Sequence, residues 1–566
     1  MGRQCFHELA MGGGQNETAT ELVKSAAMKG EWVCLKNLHL VTSWLPSLEK
    51  EIKLLNPDKK FRLWLTSEPH AKFPSILLQS SLKITYETPP GVRNNLMRTF
   101  SYVTPSQDQQ RQNPAMTQLL FVLSWFHALM QERRKYIPQG WSKYYEFSFG
   151  DLKAGELTLT AVQAETKGSP SPQWQKVYGI LENAIYGGRV DNDFDLRVLR
   201  AYMGQMFKDS VLKGQEPLSR LVPVPQSGDA REYTGIISQV PEADVPGLFG
   251  LPANIDRSVQ RFNSAAVIGQ LKQLAAVGAE ELRFDKQRWT QKLGPLCQLW
   301  GNLYQPQQFD QVQVTQEHLN QPDPVEAFVY MELVFVREVL RLAHASIGTI
   351  ARILQGQEML TAKSQKDATD LLTGNVPASW AAKWEGPENP TQWARAVCKK
   401  ASALLGWVQR VQKKQLLEHA VNLSDLFHPE TFLNALRQRS ARRLKIAIDE
   451  LKLVSSFEAS KVGRETAVQV EGLWLQGCAF DGRSLVDIQD GGASATPELV
   501  PLPPCALAWI GRDAPDPYPA GSTADTPVYF STDREDLLCV VKIPSTGDES
   551  LRIIAGVALF LNGPTD

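Results

Sequence analysis

The sequence lacks the features that mark membrane, secreted or nucleic-acid-binding proteins. Its apolar runs, such as residues 553–561, fall well short of the roughly 18 to 20 residues that span a bilayer. Charge of one sign is not in excess, since 60 Lys and Arg balance 61 Asp and Glu. The seven cysteines form no C-x-x-C pair, and the first residues carry neither a signal-peptide nor a myristoylation pattern. We therefore expect a protein of the cytoplasm with no disulfides, no thiolate zinc site, no membrane insertion and no nucleic-acid partner.

Familiar catalytic motifs are missing as well. No G-x-x-x-x-G-K-[ST] P-loop occurs, and Gly12-Gly13-Gly14, which lacks the lysine, is interpreted as a turn. The eight histidines include no H-E-x-x-H, and we expect His127, beside a buried stripe, to be packed or hydrogen bonded. No G-x-S-x-G nucleophile elbow appears. These absences disfavour the usual nucleotide, zinc-hydrolase and serine-hydrolase sites, while a carboxylate pair brought together in space stays open.

The size and composition indicate a folded protein of several domains. With 566 residues, 43% of them hydrophobic, the chain has room for roughly three to four domains. In residues 1–90, short apolar runs alternate with helical periods, which predicts a parallel α/β sheet. The predicted strands are residues 32–35, 61–66 and 82–86, and the predicted helices are residues 44–55 and 73–79. Because parallel sheets normally have more strands, we expect only part of an α/β domain here.

Helical periodicity dominates from residue 91 to about residue 460. Three apolar stripes predict a compact helical module over residues 91–257. A second helical set follows over residues 258–460. Its strongest signal is Asp323 followed by Pro324, which predicts the start of a helix that ends near Gly356. Other helices of this set are predicted over residues 393–412 and 429–453.

From about Thr466 the spacing of apolar residues changes to a period of two, which is typical of strands with one buried face. The pattern begins near Val468 and Val470, and the stretch 490–526, rich in Gly, Pro, Ser and Ala, is predicted as a surface loop. Further strands are predicted over residues 528–530, 537–543 and 551–561. The predicted fold class is thus multidomain, α/β, then mostly α, then β, and it ends in a small antiparallel β barrel or sandwich.

One cluster of basic residues lies on a predicted helix: Arg437, Arg439, Arg442, Arg443 and Lys445. Its functional interpretation is a surface for an acidic partner or for nucleic-acid phosphates. The alternative is a solvated helix face paired with nearby acids. We favour this alternative, and the lack of an aromatic platform disfavours the nucleic-acid version further.

Long strings of the sequence resemble the dynein heavy chain family. EWVCLKNLHLVTSWLPSLEKEI, from Glu31, and FRLWLTSEPHAKFPSILLQSSLKITYETPPGVRNNLMRTF, from Phe61, closely resemble the sixth AAA+ module. YIPQGW and ENAIYGGRVDNDFDLRVLRAY resemble its helical lid, and NVPASW and FHPETFLNALRQ resemble the carboxyl-terminal domain. The resemblance runs from about Phe6 to the end of the sequence. Within the family it is closest to the class of intraflagellar transport, cytoplasmic dynein 2.

The resemblance implies a division into four parts. Residues 1–90 correspond to a partial large subdomain of a degenerate AAA+ module, and residues 91–257 to its helical lid. Residues 258–460 correspond to the helical part of the dynein C-terminal domain, and residues 461–566 to its β-barrel part. Met1 then falls inside the sixth module. We therefore expect the sheet to be incomplete, because the sequence would lack the first part of that module.

The resemblance also implies a nucleotide site that has lost its chemistry. Lys36 and Asn37 occupy the Walker B position, where one carboxylate would hold magnesium and the next would polarise water. Thr66 and Ser67 end the strand that carries the sensor residue, and the segment in which a trans-acting arginine is expected, residues 71–82, contains Lys72 and no arginine. The expected cofactors are therefore none in this segment, with ATP and magnesium used elsewhere in the parent motor.

By this resemblance, the protein is the C-terminal structural part of a minus-end-directed, ATP-driven microtubule motor for retrograde intraflagellar transport. It would work in the cytoplasm, on the cytoskeleton and in the cilium or flagellum. Its implied partners are the remaining AAA+ ring, the dynein intermediate, light intermediate and light chains, and microtubules through the stalk. Two alternatives stay open. One is a free-standing scaffold derived from the family, in which residues 2–29 would have to supply the missing sheet edge, and the other is an enzyme with an unrecognised site.

Overall fold

The chain folds into two compact units, Met1–Thr88 and Pro89–Asp566. The computed structural model describes residues 5–12, 14–68, 73–84, 88–103, 114–165, 172–219, 222–227, 229–276, 284–309, 312–458, 461–462, 467–486, 498–519 and 521–563. None of the helices in these ranges combines the length and the hydropathy of a membrane span.

The first unit is a three-stranded parallel sheet with helices packed on it. Its strands lie side by side in chain order. One face of the sheet, which includes Val33 and Leu35, forms an apolar core with Val23 and Leu48 of two helices. The elements are β1 (Phe6–Ala10), α1 (Asn16–Lys29), β2 (Trp32–Lys36), α2 (Leu45–Leu54), β3 (Arg62–Leu65) and α3 (Ser75–Ser80).

Most of the expected elements of this unit are confirmed, with one strand missed and one wrong. The predictions over residues 32–35 and 61–66 are confirmed as β2 and β3, and both helices are confirmed as α2 and α3. Strand β1 is not predicted, because its sequence FHELA has no clear alternation of apolar and polar residues. The strand expected over residues 82–86 is wrong at 82–84, where Leu82 and Ile84 are exposed and unpaired. Residues 85 and 86 lie outside the described ranges.

The second unit begins with a bundle of helices around one apolar core. Its central helix, α5, is buried on nearly all sides. The π-helical residues Leu181–Ile185 continue α7, and short 3-10 turns occur at Arg133–Tyr136, Gly187–Arg189 and Pro246–Phe249. The helices are α4 (Val92–Val103), α5 (Pro114–Glu132), α6 (Phe149–Glu165), α7 (Trp174–Ile180), α8 (Asp193–Met206), α9 (Asp209–Leu212), α10 (Ala230–Gln239) and α11 (Ile255–Ala276).

A second helical bundle follows, built around one long helix. As predicted, this helix, α15, starts beside Asp323, whose carboxylate accepts a 2.9 Å hydrogen bond from Val325 N, and it ends at Gly356 with φ 79°. The helices are α12 (Lys286–Leu303), α13 (Pro306–Phe309), α14 (Gln316–Leu319), α15 (Pro324–Gln355), α16 (Ala362–Leu372), α17 (Ala378–Ala381), α18 (Pro390–Gln412) and α19 (Pro429–Leu444).

The β region forms two main sheets and a small hairpin. One sheet has the order β10-β7-β14-β12-β13, the other has the order β4-β6-β11-β5, and β8 pairs with β9. The elements are β4 (Val421–Asn422), β5 (Leu451–Ser456), β6 (Ala467–Glu471), β7 (Trp474–Gln476), β8 (Ala479–Phe480), β9 (Leu485–Val486), β10 (Val500–Pro501), β11 (Cys505–Gly511), β12 (Thr523–Tyr529), β13 (Leu537–Pro544), α20 (Glu549–Ile554) and β14 (Ala558–Phe560).

Of the predicted antiparallel barrel or sandwich, the barrel is wrong, because the described residues form no closed barrel. Two strand pairs, β12 with β14 and β4 with β6, are parallel. The edge strands β13 and β5 meet through a side chain: Ser455 Oγ accepts from Lys542 N at 2.8 Å and donates to Lys542 O at 2.9 Å. This contact is made by a side-chain hydroxyl and not by backbone-to-backbone hydrogen bonds, so the two sheets are not joined into a barrel between β13 and β5. The two sheets instead share one apolar core, as in a sandwich.

Two local predictions in this region are also wrong. Residues 551–561 contain the end of helix α20 and the short strand β14 rather than one strand. The stretch 490–526 contains β10, β11 and the start of β12 rather than a continuous loop, while its residues 490–497 and 520 lie outside the described ranges. Proline and glycine content concealed the apolar run of β11, whose first four residues are buried.

Candidate functional site

Three of the four residues assigned to the nucleotide position meet at one edge of the first sheet. Lys36 ends β2, Asn37 follows it with φ 60°, and Asn37 N donates to Thr66 Oγ1 at 3.4 Å. Leu38 N donates to Thr66 O at 3.0 Å, which ties the ends of β2 and β3 together. This is the carboxyl-terminal edge of a parallel sheet, where α/β proteins bind ligands. Ser67 lies beside the group, but its hydroxyl donates to Glu68 O at 2.8 Å.

Lys36 is held by a residue that the sequence reasoning missed. Its ammonium forms an ion pair and hydrogen bond with Glu8 of the neighbouring strand β1. The hydrogen bond to Glu8 raises the pKa of Lys36, so the side chain stays charged. The register of β1 with β2 places Glu8 beside Cys34, which precedes Lys36 by two residues and lies on the same face of the sheet. This register can be read only once β1 is known to be a strand.

The chemistry available at this edge is that of hydrogen bonding and charge pairing. An ammonium group has only donors and an amide has no negative charge, so Lys36 and Asn37 do not fit a magnesium ion or a water-polarising base. Within the described ranges, no three His, Cys, Asp or Glu side chains lie together as a metal site. The residues present therefore do not fit the metal-bound nucleotide that a working Walker B strand would serve.

One face of the sheet of the first unit is partly exposed as far as the described residues show, and we call it the open face. Alternate residues point away from α1 and α2, and they include Phe6, Trp32 and Trp64. The rings of Trp32 and Trp64 are 6.0 Å apart, and Phe6 and Trp64 are 42% and 43% exposed. The buried Nε1 of Trp32 has no hydrogen-bond partner among the described residues. Parallel sheets are normally covered on both faces, so this open face is a candidate docking surface.

The basic cluster on α19 and just after it makes hydrogen bonds within the protein. Arg437 donates to Ile448 O at 2.8 Å and lies over the Trp509 ring, 5.4 Å from its centroid. Arg439 pairs with Asp323, the cap of α15, at 3.1 Å. These contacts join α19 to the start of α15 and to the β region.

Arg442 and Arg443 of the cluster also have interaction partners. Arg442 donates to the carbonyl of Pro322, next to the α15 cap. Lys445 ends α19 in the left-handed conformation, with φ 54°. The contacts of the four arginines support the interpretation of a helix face paired within the protein, and a partner surface here stays a prediction.

Buried polar groups in the helical bundles have structural partners. His127, as predicted, is packed and hydrogen bonded: its Nδ1 lies 2.9 Å from the Tyr186 hydroxyl, and burial lowers its pKa to about 4. Glu332, missed by sequence reasoning, accepts from Phe427 N at 2.7 Å and lies 2.5 Å from His428 Nδ1. The hydrogen bond to Glu332 raises the pKa of His428. Glu332 thus ties α15 to the start of α19.

Lys400 is a second buried charge that sequence reasoning missed. Its ammonium donates to the carbonyls of Ser424 and Leu426, at 2.5 and 2.8 Å, and lies over the rings of Phe427 and Phe530. Burial lowers the pKa of Lys400 to about 8. Because residues of the protein itself supply these contacts, we interpret Lys400 as a structural residue of the core.

Three family models match successive parts of the sequence. Residues 1–85 match the region D6 P-loop domain of dynein heavy chains, although these residues contain no P-loop sequence. Residues 116–255 match the AAA lid domain of dynein heavy chains, and residues 263–561 match their C-terminal domain.

Curated relatives match almost the whole sequence. It is 42% identical over 568 residues to cytoplasmic dynein 2 heavy chain 1 of Tripneustes gratilla and 43% identical over 566 residues to that of Homo sapiens. It is 40% identical over 587 residues to that of Chlamydomonas reinhardtii. In each case the match covers 99% of this protein and 13% of the relative, so the protein spans about an eighth of the length of these relatives.

Proposed function

The chain belongs to the dynein heavy chain family, and on that premise we propose that it closes and couples the AAA+ ring of a microtubule motor without hydrolysing ATP. The motor would be minus-end-directed and ATP-driven. Because the curated relatives above are heavy chains of cytoplasmic dynein 2, the transport we propose is retrograde intraflagellar transport. The protein would then work in the cytoplasm and in the cilium or flagellum.

The pairing of Lys36 with Glu8 is the observation that carries this proposal. The ion-paired ammonium of Lys36 lies at the end of the central strand of a parallel sheet, and we propose that this position corresponds to the one where a catalytic ATPase needs a carboxylate. Asn37 has turned into a left-handed backbone conformation and hydrogen bonds to Thr66. The ends of the three strands are thus connected to one another by hydrogen bonds and an ion pair, as expected for a structural module.

The open face of the sheet supports the ring-closing part of the proposal. Its aromatic residues need a covering layer, and in the proposed motor another part of the heavy chain would supply it. We propose the division into residues 1–90 as the partial AAA+ subdomain, 91–257 as the lid, and 258–460 and 461–566 as the helical and β parts of the C-terminal domain. This segment would bind no cofactor, and ATP and magnesium would be used by other modules.

The proposed partners follow from the same premise. They are the remaining AAA+ ring, the dynein intermediate, light intermediate and light chains, and microtubules through the stalk. Nucleic acid and membrane insertion are not part of the proposal.

A free-standing scaffold is the second candidate function, because β1 does supply one sheet edge from within residues 2–29, as that candidate requires. The open face with Phe6 and Trp64 speaks against it, since a free-standing domain would leave these rings in water. An enzyme of another kind has no supporting geometry among the described residues.

ATP turnover by the purified protein tests the proposed lack of hydrolysis. We expect the protein with magnesium and ATP to release phosphate no faster than its Asn37→Ala and Thr66→Ala variants do. Turnover that disappears in either variant would contradict the proposal, because it would assign catalysis to this edge. Turnover that persists in both variants would come from a contaminant or another site, and separation of the activity from the protein on a second column distinguishes the two.

A further inference from the structure

Arg133 joins two parts of the second unit that are far apart in the sequence. It is fully buried in the 3-10 turn after α5, and its Nε donates to Gly140 O at 2.6 Å. Nη1 donates to the Tyr202 hydroxyl at 2.6 Å and to Phe249 O at 3.0 Å. Nη2 reaches Ile554 O at 2.6 Å, 421 positions further along the sequence. Three of these acceptors lie in the first helical bundle, and the fourth ends α20.

The carboxyl end of α20 depends on this bundle for its hydrogen bonds. The last carbonyls of a helix have no partner within the helix and must find one elsewhere. Ile554 O accepts from Arg133, and the next carbonyl, Ala555 O, accepts from Gln139 Nε2 at 2.9 Å. The Ile554 side chain is buried in the apolar core of the first helical bundle and not in the core of the β region. The end of α20 is thus held by the first helical bundle, both through its carbonyl hydrogen bonds and through the burial of Ile554.

Two glycines make room for this close approach, one from each side. Gly556 has φ +68°, and a Cβ added to it would lie 2.5 Å from Gln139 O. Gly250 has φ +64°, and a Cβ added there would lie 2.7 Å from Ile554 Cγ2. Both positions therefore need glycine for their backbone conformation and for their space. The two surfaces fit each other in detail, beyond general apolar packing.

We propose that Arg133 and Gln139 form a latch that fixes α20 to the first helical bundle, so that the bundle and the β region move as one body. Among the described residues Arg133 forms no ion pair, although Asp195 is near enough to interact with it electrostatically. A buried guanidinium group needs its hydrogen-bond acceptors, so detaching α20 would leave this charge with one acceptor fewer. The latch therefore opposes relative motion of the two parts. We take these parts to be the AAA+ lid and the C-terminal domain, so the functional meaning of the latch rests on the proposed function: a shift of the lid would be passed directly to the C-terminal domain.

Hydrogen–deuterium exchange on the 566-residue protein tests the latch. The reporters are the amides of Ala555, Gly556 and Val557, which are hydrogen bonded at the end of α20. We expect Arg133→Gln to accelerate their exchange about tenfold or more, because a hydrogen bond to a charged donor is lost. Amides of α18 should keep their wild-type rates. The matched control is Arg134→Gln, which removes the neighbouring arginine, bonded to the Tyr144 hydroxyl, and should leave the α20 amides unchanged.

Two results would overturn the latch. One is wild-type exchange of the α20 amides in a folded Arg133→Gln variant, and the other is equal acceleration throughout α5, α8 and α20, which would make Arg133 a core residue of the bundle only. If Arg133→Gln does not fold, Gln139→Leu removes only the bond to Ala555 O. We expect this variant to accelerate the same amides by a smaller factor, and no change would then overturn the proposal. These results are independent of the ATP-turnover test, so the latch and the proposed function can fail separately.

Discussion

Lys36, the last residue of β2, forms an ion pair with Glu8 on the adjacent strand β1. The pair lies at the edge of a parallel sheet, at the position that we propose corresponds to the two acidic residues of a working ATPase module. The positive charge of Lys36 is paired within the sheet, so this side chain contributes to the contact between β1 and β2. The proposed division of labour in the motor, with ATP turned over elsewhere, starts from this pair.

Reintroducing an acid at this position should weaken the sheet without creating activity. In Lys36→Glu the new carboxylate lies beside Glu8, and like charges on adjacent strands repel. We expect a slightly lower melting temperature, with the difference shrinking in high salt, and no ATP turnover, because no P-loop is present. Lys36→Gln, which removes the pair without repulsion, is the control and should melt between Lys36→Glu and the wild type. Phosphate release by Lys36→Glu would contradict this expectation, because it would show that a single acid at position 36 is enough to restore activity.

The open sheet face should make the isolated protein associate. Trp64→Ser removes an exposed ring, so we expect less self-association by sedimentation velocity and little change in melting temperature. Leu63→Ser is the matched control one residue away, on the face that packs against α1 and α2. It should lower the melting temperature clearly. Equal effects of the two variants on melting would mean that both faces are covered.

Neighbouring leucines of α6 test the assignment of the first helical core. Leu159 is 1% exposed, and Leu157 is 60% exposed. We expect Leu159→Ala to lower the free energy of unfolding by about 2–5 kcal/mol and Leu157→Ala to change it by less than about 0.5 kcal/mol. Urea denaturation measures both. Similar losses in the two variants would contradict the orientation of α6.

The His428–Glu332 pair predicts a pH dependence of stability. Because Glu332 raises the pKa of His428 in the folded protein, the stabilisation is fully present below the ordinary histidine pKa of about 6.5 and is lost as pH rises through the folded pKa. We expect His428→Gln to lower the melting temperature more at about pH 5.5 than at about pH 8.5, which lie on either side of that ordinary value. The other acid that acts on His428 is Glu430.

A loss that is the same at both pH values would contradict this account of His428. Glu430→Gln serves as the control, since it removes a charge near His428 but leaves the hydrogen bond to Glu332 in place. It should change the pH dependence less than His428→Gln does.

The basic cluster on α19 should affect stability through the cap of α15. Arg439→Gln removes the 3.1 Å pair with Asp323, so we expect a loss of about 1 kcal/mol or less, since the pair is partly exposed. Lys445→Gln is the control and should be close to neutral. If Arg439→Gln leaves the melting temperature unchanged but abolishes binding of the protein to another dynein subunit, the cluster is a partner surface and the paired-face interpretation fails.

Long periodic helices could be predicted from sequence because their signals are local. For α15, Asp323 and Gly356 mark the ends, and the apolar stripe between them marks the buried face. The β region could not be predicted to the same degree, because several of its strands have only two or three residues and two of its pairs are parallel. For α20, the apolar run 551–561 concealed a helix whose cap, Asp548, accepts from Ser550 N.

The residues of the candidate site also differ in whether they could be predicted from the sequence. Lys36, Asn37 and Thr66 could be placed together from the order of strands in the family. Glu8 could not, because its role depends on β1, which has no clear strand pattern. The contact between Arg133 and Ile554 has no local signal at all, since nothing in the sequence near either residue points to a partner 421 positions away.

The size of the native protein tests the central claim most directly. An antibody against the exposed loop between β11 and β12, residues 512–519, would be used on a blot of whole-cell extract. Since the sequence matches 13% of the length of its relatives, we predict a band several times larger than the 63.1 kDa of these 566 residues, as expected for a motor heavy chain. A sole band near 63.1 kDa would contradict the motor account and favour the free-standing scaffold.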